Sequence, residues 1–314
     1  MKANTFRRRV TAILCSLLVG LSWAVTTVFA ADNGDIEQNA SLTVYFGENG
    51  EGFADVEFSI YRIAEISQDG SYTLTGDFKN YPVNLENLTS SGWRALAQTL
   101  DAYAARDHLQ PLQVKKTGQD GQVVFSGLST GLYLVKGEQY EEEGNIYTPE
   151  AMLVSLPALS EDGGWSYHQK VSCKFDSTET SSEFVQRKVC KVWEDNGNQE
   201  SRPKEILVQL LENGRVVDTV VLNEENHWQY TWENLKGSSK WQVAEAETPE
   251  GYTVSVAQEG ITFFMTNTHP SDTPTRLPQT GMLWWPVPLL ACAGLLFVVM
   301  GYILRRRHGE SDER

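Results

Sequence analysis

The sequence predicts a mainly β protein with two tandem β-sandwich domains, the first of which carries an inserted helix. Short runs in which apolar and polar residues alternate are separated by turns rich in Gly, Asn and Asp. One stretch instead has its apolar residues at helical spacing. A pattern of aromatic and aliphatic residues occurs twice, which indicates two domains built on one plan.

The predicted strands fall into two groups. Those of the first domain (40–175) lie at 41–46, 56–63, 122–125, 132–135 and 151–156. Those of the second domain (184–268) lie at 206–211, 216–222, 228–232 and 253–256. Between two of the latter, Glu212-Asn213-Gly214-Arg215 predicts a hairpin turn, because Asn-Gly tolerates the positive φ angles of a two-residue loop.

The predicted helix belongs to the first domain. Its apolar side comprises Trp93, Leu96, Ala97, Leu100, Tyr103 and Ala104. Ser90 and Ser91 precede them as candidate N-caps, because a hydroxyl can accept a hydrogen bond from a free amide of the first turn. We expect this helix to pack on one face of the first sandwich.

The repeated pattern reads aromatic-x-x-Leu, a turn, then aromatic-x-Val. Its first copy comprises Phe125, Leu128, Tyr133 and Val135, and its second copy Trp232, Leu235, Trp241 and Val243. Each copy predicts a strand, a turn and another strand. The correspondence places Gly137 of the first domain where Glu245 stands in the second.

The N-terminus has the layout of a secretory signal peptide. Lys2 and three successive arginines precede an apolar run at 10–25, and Val28-Phe29-Ala30 supplies a signal-peptidase site. We expect residues 1–30 to be removed, with cleavage after Ala30.

The C-terminus has the layout of a membrane segment. Residues 282–304 contain no Asp, Glu, Lys or Arg and are numerous enough to cross a hydrocarbon core. Trp284 and Trp285 fall at the outer edge and three arginines at the inner edge, as interfacial preference and the positive-inside rule require. A cytoplasmic tail at 305–314 follows.

The five residues before this segment are Leu277-Pro278-Gln279-Thr280-Gly281. Followed by an apolar span and a basic tail, they resemble the LPXTG signal read by sortases. The resemblance implies that a sortase cysteine attacks the Thr280–Gly281 bond and passes Thr280 to an amine of a peptidoglycan precursor. It also implies a membrane-held precursor and a mature protein in the cell wall of a Gram-positive bacterium.

Two segments have the composition of connectors. Residues 176–183, rich in Ser, Thr and acids, are the predicted interdomain linker. Residues 269–276, which include two prolines, are predicted to form a stalk that presents the sorting motif to its enzyme.

Charge and composition exclude several functions. The formal net charge is −15 with 41 acidic and 26 basic side chains, which opposes binding of nucleic acid. The five His are scattered without metal-ligand spacing, so we expect no metal site and no cofactor. Outside the two ends only Cys173 and Cys190 remain, and the sequence leaves open whether they are bridged or free.

The second domain resembles a B-type domain of the collagen-adhesin (Cna) family, which implies an immunoglobulin-like β-sandwich. The residues that carry the resemblance are Lys191-Val192-Trp193-Glu194-Asp195, Arg202-Pro203-Lys204, the run at 206–211, Trp241-Gln242-Val243-Ala244-Glu245, Gly251-Tyr252-Thr253-Val254 and Thr266-Asn267-Thr268.

The resemblance implies an intramolecular isopeptide bond. Lys191 would be the nucleophile, Asn267 the electrophile and Glu245 the acid that assists once, without turnover. Physical chemistry agrees with these roles, because burial favours the neutral forms of Lys and Glu. A neutral amine is nucleophilic, and a protonated carboxyl can polarise a carbonyl.

The first domain more loosely resembles the N-terminal domain of Gram-positive pilins. The marks are Val56-Glu57-Phe58-Ser59-Ile60-Tyr61, Gly131-Leu132-Tyr133-Leu134-Val135 and the stretch 165–174. Neither 41–46 nor 171–175 supplies the Lys and Asn of an isopeptide site, and Gly137 replaces the acid. We therefore expect no isopeptide bond in this domain.

Lys174 ends a stretch, beginning at Trp165, that resembles a degenerate pilin motif. The family's Pro and Asn on either side of the Lys are replaced by Cys173 and Phe175. Lys174 is therefore either an acceptor for the Thr of the next subunit or an ordinary cation at the end of a strand.

These features together predict a structural surface protein rather than an enzyme. The leading hypothesis is a pilin subunit or pilin-like stalk, whose partners would be a sortase, a peptidoglycan precursor and other pilin subunits. The alternative is a monomeric wall-anchored adhesin that binds a host surface ligand.

Overall fold

A computed structural model describes residues 39–67, 69–159, 164–180 and 184–269. The predicted signal peptide at 1–30, the sorting motif at 277–281, the membrane segment at 282–304 and the tail at 305–314 lie outside these ranges, as does the stalk after His269. Within the described ranges, no helix is both long and apolar enough to cross a lipid bilayer.

The described residues of the first domain form fifteen strands and one α-helix. The strands are β1 (Ala40–Tyr45), β2 (Gly47–Glu48), β3 (Glu51–Gly52), β4 (Glu57–Ile66), β5 (Tyr72–Leu74), β6 (Gln113–Lys116), β7 (Gln122–Leu128), β8 (Gly131–Gly137), β9 (Tyr140–Glu142), β10 (Asn145–Pro149), β11 (Met152–Leu156), β12 (Ala158–Leu159), β13 (Trp165–Ser166), β14 (His168–Ser172) and β15 (Phe175–Glu179). The helix is α1 (Ser90–Arg106), and a 3-10 turn spans Gly76–Phe78.

The main sheets of the first domain have the orders β14-β1-β7 and β11-β8-β4-β5. Strand β6 also pairs with β4, and a third sheet has the order β15-β10-β9. Strands β1 and β14 run parallel, whereas β4 is antiparallel to its neighbours. Side chains that alternate inward along β1 and β4, such as Leu42 and Phe58, form the core between the sheets.

The second domain contains seven strands in two sheets. They are β16 (Phe184–Glu194), β17 (Glu205–Glu212), β18 (Arg215–Asn223), β19 (Gln229–Lys236), β20 (Trp241–Glu245), β21 (Thr253–Glu259) and β22 (Thr262–Thr268). The sheets have the orders β19-β16-β22-β21 and β18-β17-β20, with β16 and β22 parallel. Val189, Val208 and Met265 lie in the core between them.

The two domains share one plan, as the internal repeat predicts. The order β14-β1-β7 matches β22-β16-β19, and the first strand of each domain pairs in parallel with β14 or β22 near the end of that domain. The pairing of β4 with β8 likewise matches that of β17 with β20. The mainly β fold class with β-sandwich packing is therefore present in the described residues.

The hairpin turn at Glu212-Asn213-Gly214-Arg215 is confirmed. It joins β17 to β18, and Glu212 pairs with Arg215. Asn213 and Gly214 have φ angles of 48° and 79°, the positive values that a tight hairpin loop needs.

The position of the helix differs from the prediction in two respects. Its N-cap is Thr89, whose Oγ1 accepts a hydrogen bond from the amide of Gly92 at 3.2 Å, whereas Ser90 is already helical. In addition, α1 does not pack on the first sandwich alone. Leu96 and Leu100 belong to a core of the first domain, while Ala102 and Tyr103 belong to the core of the second.

The predicted linker at 176–183 is wrong in its first half. Residues up to Glu179 belong to β15, which pairs antiparallel with β10, so that Asp176 faces Thr148 and Ser177 faces Tyr147. The four residues from Asp176 to Glu179 are all solvent-exposed, because β15 is an edge strand. Its polar composition is therefore the same as that of a linker, and composition alone cannot distinguish the two.

Candidate functional site

The structure brings together the three residues of the predicted isopeptide site. Lys191 lies on β16, Asn267 on the parallel neighbour β22, and Glu245 at the end of β20 in the facing sheet. Their side chains point into the sandwich because they continue the inward alternation of Val189 and Met265.

The distances within this group are short. Lys191 Nζ lies 3.8 Å from Glu245 Oε1. Asn267 Nδ2 donates hydrogen bonds to both carboxyl oxygens of Glu245, at 3.0 and 3.1 Å. Glu245 is therefore positioned to exchange protons with the amine on one side and the carboxamide on the other.

Burial sets the protonation of the site. The side chains of Lys191 and Glu245 are both fully buried. Burial lowers the pKa of Lys191 and raises the pKa of Glu245, although the charge of each partner opposes the shift of the other. Both shifts favour a neutral amine beside a protonated carboxyl, the pair of species that amide formation requires.

The carbonyl oxygen of Asn267 has no partner among the described residues. This Oδ1 atom is fully buried and accepts no hydrogen bond. A buried acceptor left unpaired costs about 1–3 kcal/mol. A half-turn of the carboxamide would present Oδ1 to a protonated Glu245, which could then donate a hydrogen bond and polarise the carbonyl.

Aromatic rings close one side of the site. Lys191 Nζ lies 4.0 Å from the centroid of the Trp193 ring. Trp193 in turn makes edge-to-face contacts with Trp228 and Tyr252, each at 5.3 Å between centroids. These rings keep water from the amine and thereby support its low pKa.

Asp195 and Arg202, two charged residues of the family pattern, form an ion pair beside the site. Arg202 binds Asp195 through two hydrogen bonds of 2.6 and 2.8 Å, and the Tyr252 hydroxyl donates to Asp195 at 3.3 Å. The Arg202 guanidinium lowers the pKa of Asp195 to about 2. This ion pair, in which Asp195 is buried and Arg202 half-buried, fixes the end of β16 next to Trp193.

One contact to the site comes from outside the second domain and was not predicted. Arg106, at the end of α1, donates a hydrogen bond of 2.8 Å from Nη1 to the backbone oxygen of Glu245. Tyr103 of the same helix is almost fully buried in the second core. No sequence pattern pointed to a contact of Arg106 or Tyr103 with the second domain, because that contact depends on how the two domains pack.

The equivalent positions of the first domain carry other residues. Phe46 occupies the position that corresponds to Lys191. The backbone amide of Phe46 donates to the backbone oxygen of Gly121, and the backbone amide of Lys191 donates in the same way to that of Trp228. Gly137 pairs with Phe58 as Glu245 pairs with Val208.

A carboxylate at Gly137 would force the Phe58 ring to move, and the third position is aromatic. A Cβ atom on Gly137 would lie 2.8 Å from the Phe58 ring. The β1–β14 register, carried forward, places Phe175 at the position of Asn267, and its ring lies 5.7 Å from that of Phe46. An aromatic contact thus occupies the place of the amine and the amide in this domain.

Lys174 lies between β14 and β15 and is solvent-exposed. Its backbone oxygen accepts a hydrogen bond from Glu150 at 2.8 Å, which fixes the main chain there. The residue lines a cavity of about 220 Å³ together with Trp93 and Leu153 of neighbouring elements. The adjacent Cys173 is buried and is not bridged to Cys190, since both thiols are free.

Residues 187–268 match the family model of the Cna protein B-type domain. The chain is also 35% identical over 111 residues to a collagen adhesin of Staphylococcus aureus, a match that covers 33% of this chain and 9% of that protein. The chain therefore corresponds to only a small part of that relative's length.

Two solved structures are similar at lower identity. A single B repeat unit of the collagen-binding surface protein of Staphylococcus aureus is 17% identical, with a TM-score of 0.27, over 74% of this chain and 99% of that one. The major pilin SpaD of Corynebacterium diphtheriae is 13% identical, with a TM-score of 0.27, over 76% of this chain and 99% of that one.

Proposed function

We propose that this chain is a structural protein of the Gram-positive cell surface, a pilin subunit or pilin-like stalk, stiffened by an isopeptide bond between Lys191 and Asn267. The observation that carries the proposal is the buried Lys191, Glu245 and Asn267 group within the residues that match the B-type domain. Such a bond links the first strand of the domain to the last, and a pulled filament bears its load through these strands.

The reaction needs no co-reactant. Proton transfer from Lys191 to Glu245 gives a neutral amine and a neutral carboxyl. The amine nitrogen then attacks Cγ of Asn267, a new C–N bond forms, and the bond from Cγ to Nδ2 breaks. One amine proton passes through Glu245 to the departing nitrogen, which leaves as ammonia. Packing of the two strands supplies the proximity of the reacting groups.

Intact-mass measurement of the secreted part of the chain tests this reaction. The mass should fall short of the sequence mass by one ammonia. An unchanged mass would refute the bond, and a loss of two ammonias would contradict the expectation for the first domain. Asn267→Ala should remove the deficit, because no carboxamide remains to release ammonia.

We further propose that a sortase cleaves between Thr280 and Gly281 and transfers Thr280 to a peptidoglycan precursor or to Lys174 of another subunit. The exposure of Lys174 supports the second acceptor, since an amine must reach the acyl-enzyme. Boiled wall extracts should then show a ladder of covalent multimers.

Lys174→Arg keeps the charge but removes the primary amine, so the ladder should disappear. Lys170→Arg, on β14, is the matched control and should leave the ladder intact. A ladder that survives Lys174→Arg would rule out Lys174 as the acceptor. Release of the protein by detergent alone from sortase-competent cells would refute wall attachment.

A second candidate function is that of a monomeric adhesin for a host ligand. The similarity to part of a collagen adhesin favours it. Wall extracts would then contain a single band of monomer size, and cells bearing the protein would bind host matrix proteins more strongly than cells lacking it.

A further inference from the structure

Helix α1 closes the open side of the second sandwich. Strands β20 and β21 are the outermost strands of their two sheets, so their free edges would otherwise face water. The helix contacts both strands. It therefore seals the gap between the sheets on the side of the sandwich to which Glu245 belongs.

The first domain satisfies successive free amides of β21. The amide of Val254 donates to the backbone oxygen of Pro82 at 2.7 Å. The amides of Val256 and Gln258 donate to Thr99 Oγ1 at 2.7 Å and to Gln98 Oε1 at 3.0 Å. These are alternate residues of the strand, so its outward-facing donors are paired along most of its length.

A buried ion cluster holds the helix on β20. Asp101 of α1 is almost fully buried, and Lys240 of the second domain contacts it at 2.7 Å. Lys136 of the first domain lies 3.4 Å from the same carboxyl, and Gln242 donates to it at 2.9 Å. The lysines keep the Asp101 pKa low despite burial, so the cluster remains ionised.

Arg106 links this interface directly to the residue that would assist the isopeptide reaction. Its guanidinium is oriented by two hydrogen bonds to Asp107, at 2.7 and 2.8 Å, and Tyr81 donates to Asp107 at 2.6 Å. From this fixed position it binds the backbone oxygen of Glu245 at 2.8 Å. The donor thus holds the end of β20, where Glu245 leaves the strand.

From these contacts we infer that Arg106 of the first domain is a positioning residue for Glu245, so that isopeptide formation in the second domain depends on the docking of helix α1. The inference rests on the proposed bond. Arg106 touches none of the reacting atoms; it sets where the Glu245 carboxyl lies between the Lys191 amine and the Asn267 carboxamide. Docking also excludes water from the same side, which keeps both proton-transfer partners neutral.

The rate of bond formation tests this inference. The secreted part of the chain (31–280) is expressed, cells are sampled at intervals after induction and quenched in acidic denaturant, and intact mass gives the fraction that has lost ammonia. Arg106→Ala should slow bond formation on the order of tenfold, since a misplacement of about 1 Å can cost up to ~10²-fold. Arg106→Lys, which keeps one charged donor, should restore part of the rate.

Two variants of the same helix are matched controls. Gln98→Ala loosens the interface at β21 without touching β20, and Arg94→Ala removes an ion pair with Glu150 inside the first domain. Both should form the bond at nearly the wild-type rate. Circular dichroism shows whether Arg106→Ala is folded. If folded Arg106→Ala forms the bond as fast as these controls, Arg106 has no positioning role.

The outcomes separate the two proposals. A wild-type chain that loses no ammonia overturns the bond and this inference with it. A wild-type chain that loses ammonia while all Arg106 variants match Gln98→Ala overturns this inference alone. If Arg106→Ala fails to fold, the rates of bond formation in Arg106→Lys and Arg106→Gln are compared with that of wild type. Equal rates in all three proteins contradict the positioning role. Rates that fall from wild type to Arg106→Lys and further to Arg106→Gln support it.

Discussion

Replacing Glu245 by Gln should prevent the isopeptide bond while nearly preserving the shape of the site. A Gln amide can still contact Asn267, but it cannot carry a proton between the amine and the departing nitrogen. The intact mass should therefore return to the full sequence mass. Glu247→Gln, an exposed acid two residues along the chain, is the matched control and should keep the ammonia deficit.

The loss of stability can be estimated from the loop that the bond closes. Lys191 and Asn267 enclose about 77 residues, and the chain-entropy relation for a cross-link of this length gives about 4.5 kcal/mol. Because α1 belongs to the cores of both domains, we expect the two domains to unfold together. For a unit of this size the loss corresponds to a fall in Tm of about 9–18 °C.

Differential scanning calorimetry of Glu245→Gln, Glu247→Gln and wild type measures this fall. Ammonia loss in Glu245→Gln as complete as in wild type would refute the role of the carboxyl. A restored mass with an unchanged Tm would refute the stabilising role of the bond. Two separate transitions, of which only one moves, would contradict the shared unfolding of the domains.

Two further predictions concern the charged groups around the site. In the Asn267→Ala background, where no bond can form, adding Lys191→Met should raise the free energy of unfolding at pH 7. Since burial lowers the pKa of Lys191 from its ordinary 10.5, folding must release a proton, and this cost shrinks as pH approaches 10.5. Urea titrations should show that the increase in the free energy of unfolding caused by Lys191→Met declines between pH 7 and 10. An increase that stays constant over this range would contradict the lowered pKa of Lys191. Arg202→Met should raise the pKa of Asp195 from about 2 toward its ordinary value of 3.8, and should cost about 1.5–3 kcal/mol, because two charged hydrogen bonds are lost. Carboxyl NMR measures the pKa of Asp195, and urea unfolding measures the loss of stability. The exposed Lys204→Met is the control. If Arg202→Met and Lys204→Met change the free energy of unfolding equally, the ion pair contributes nothing to stability.

The sequence predicted those features that depend on local pattern or on strand order. Asn213-Gly214 located a hairpin turn because few other pairs adopt its backbone angles. Alternation located β1, β4, β7, β8, β11, β17, β18, β19 and β21 but not β16 or β22. The repeat made Gly137 of the first domain equivalent to Glu245 of the second, and the strand registers agree. The grouping of Lys191, Glu245 and Asn267 came from a family pattern. The parallel pairing of β16 with β22 accounts for the proximity of Lys191 and Asn267, and Glu245 reaches them from β20 of the facing sheet.

The sequence did not predict features that depend on packing between domains. The face of α1 that contacts the second core is formed by Ala102 and Tyr103, which are equally compatible with packing inside the first domain. Arg106 resembles any basic residue in the last turn of a helix, a position favoured by the helix dipole. The composition of β15 predicts a linker because an exposed edge strand and a linker share the same polar composition.

The most direct test of the account is tandem mass spectrometry of a proteolytic digest of the mature protein. We predict one branched peptide in which the Lys191 side chain is joined to the Asn267 side chain, with fragment ions from both arms and a mass lower than the sum of the two peptides by one ammonia. The linear peptide ending at Lys191 should be absent, because trypsin does not cleave after an acylated lysine. Recovery of unmodified linear peptides containing Lys191 and Asn267 as the main species would contradict it.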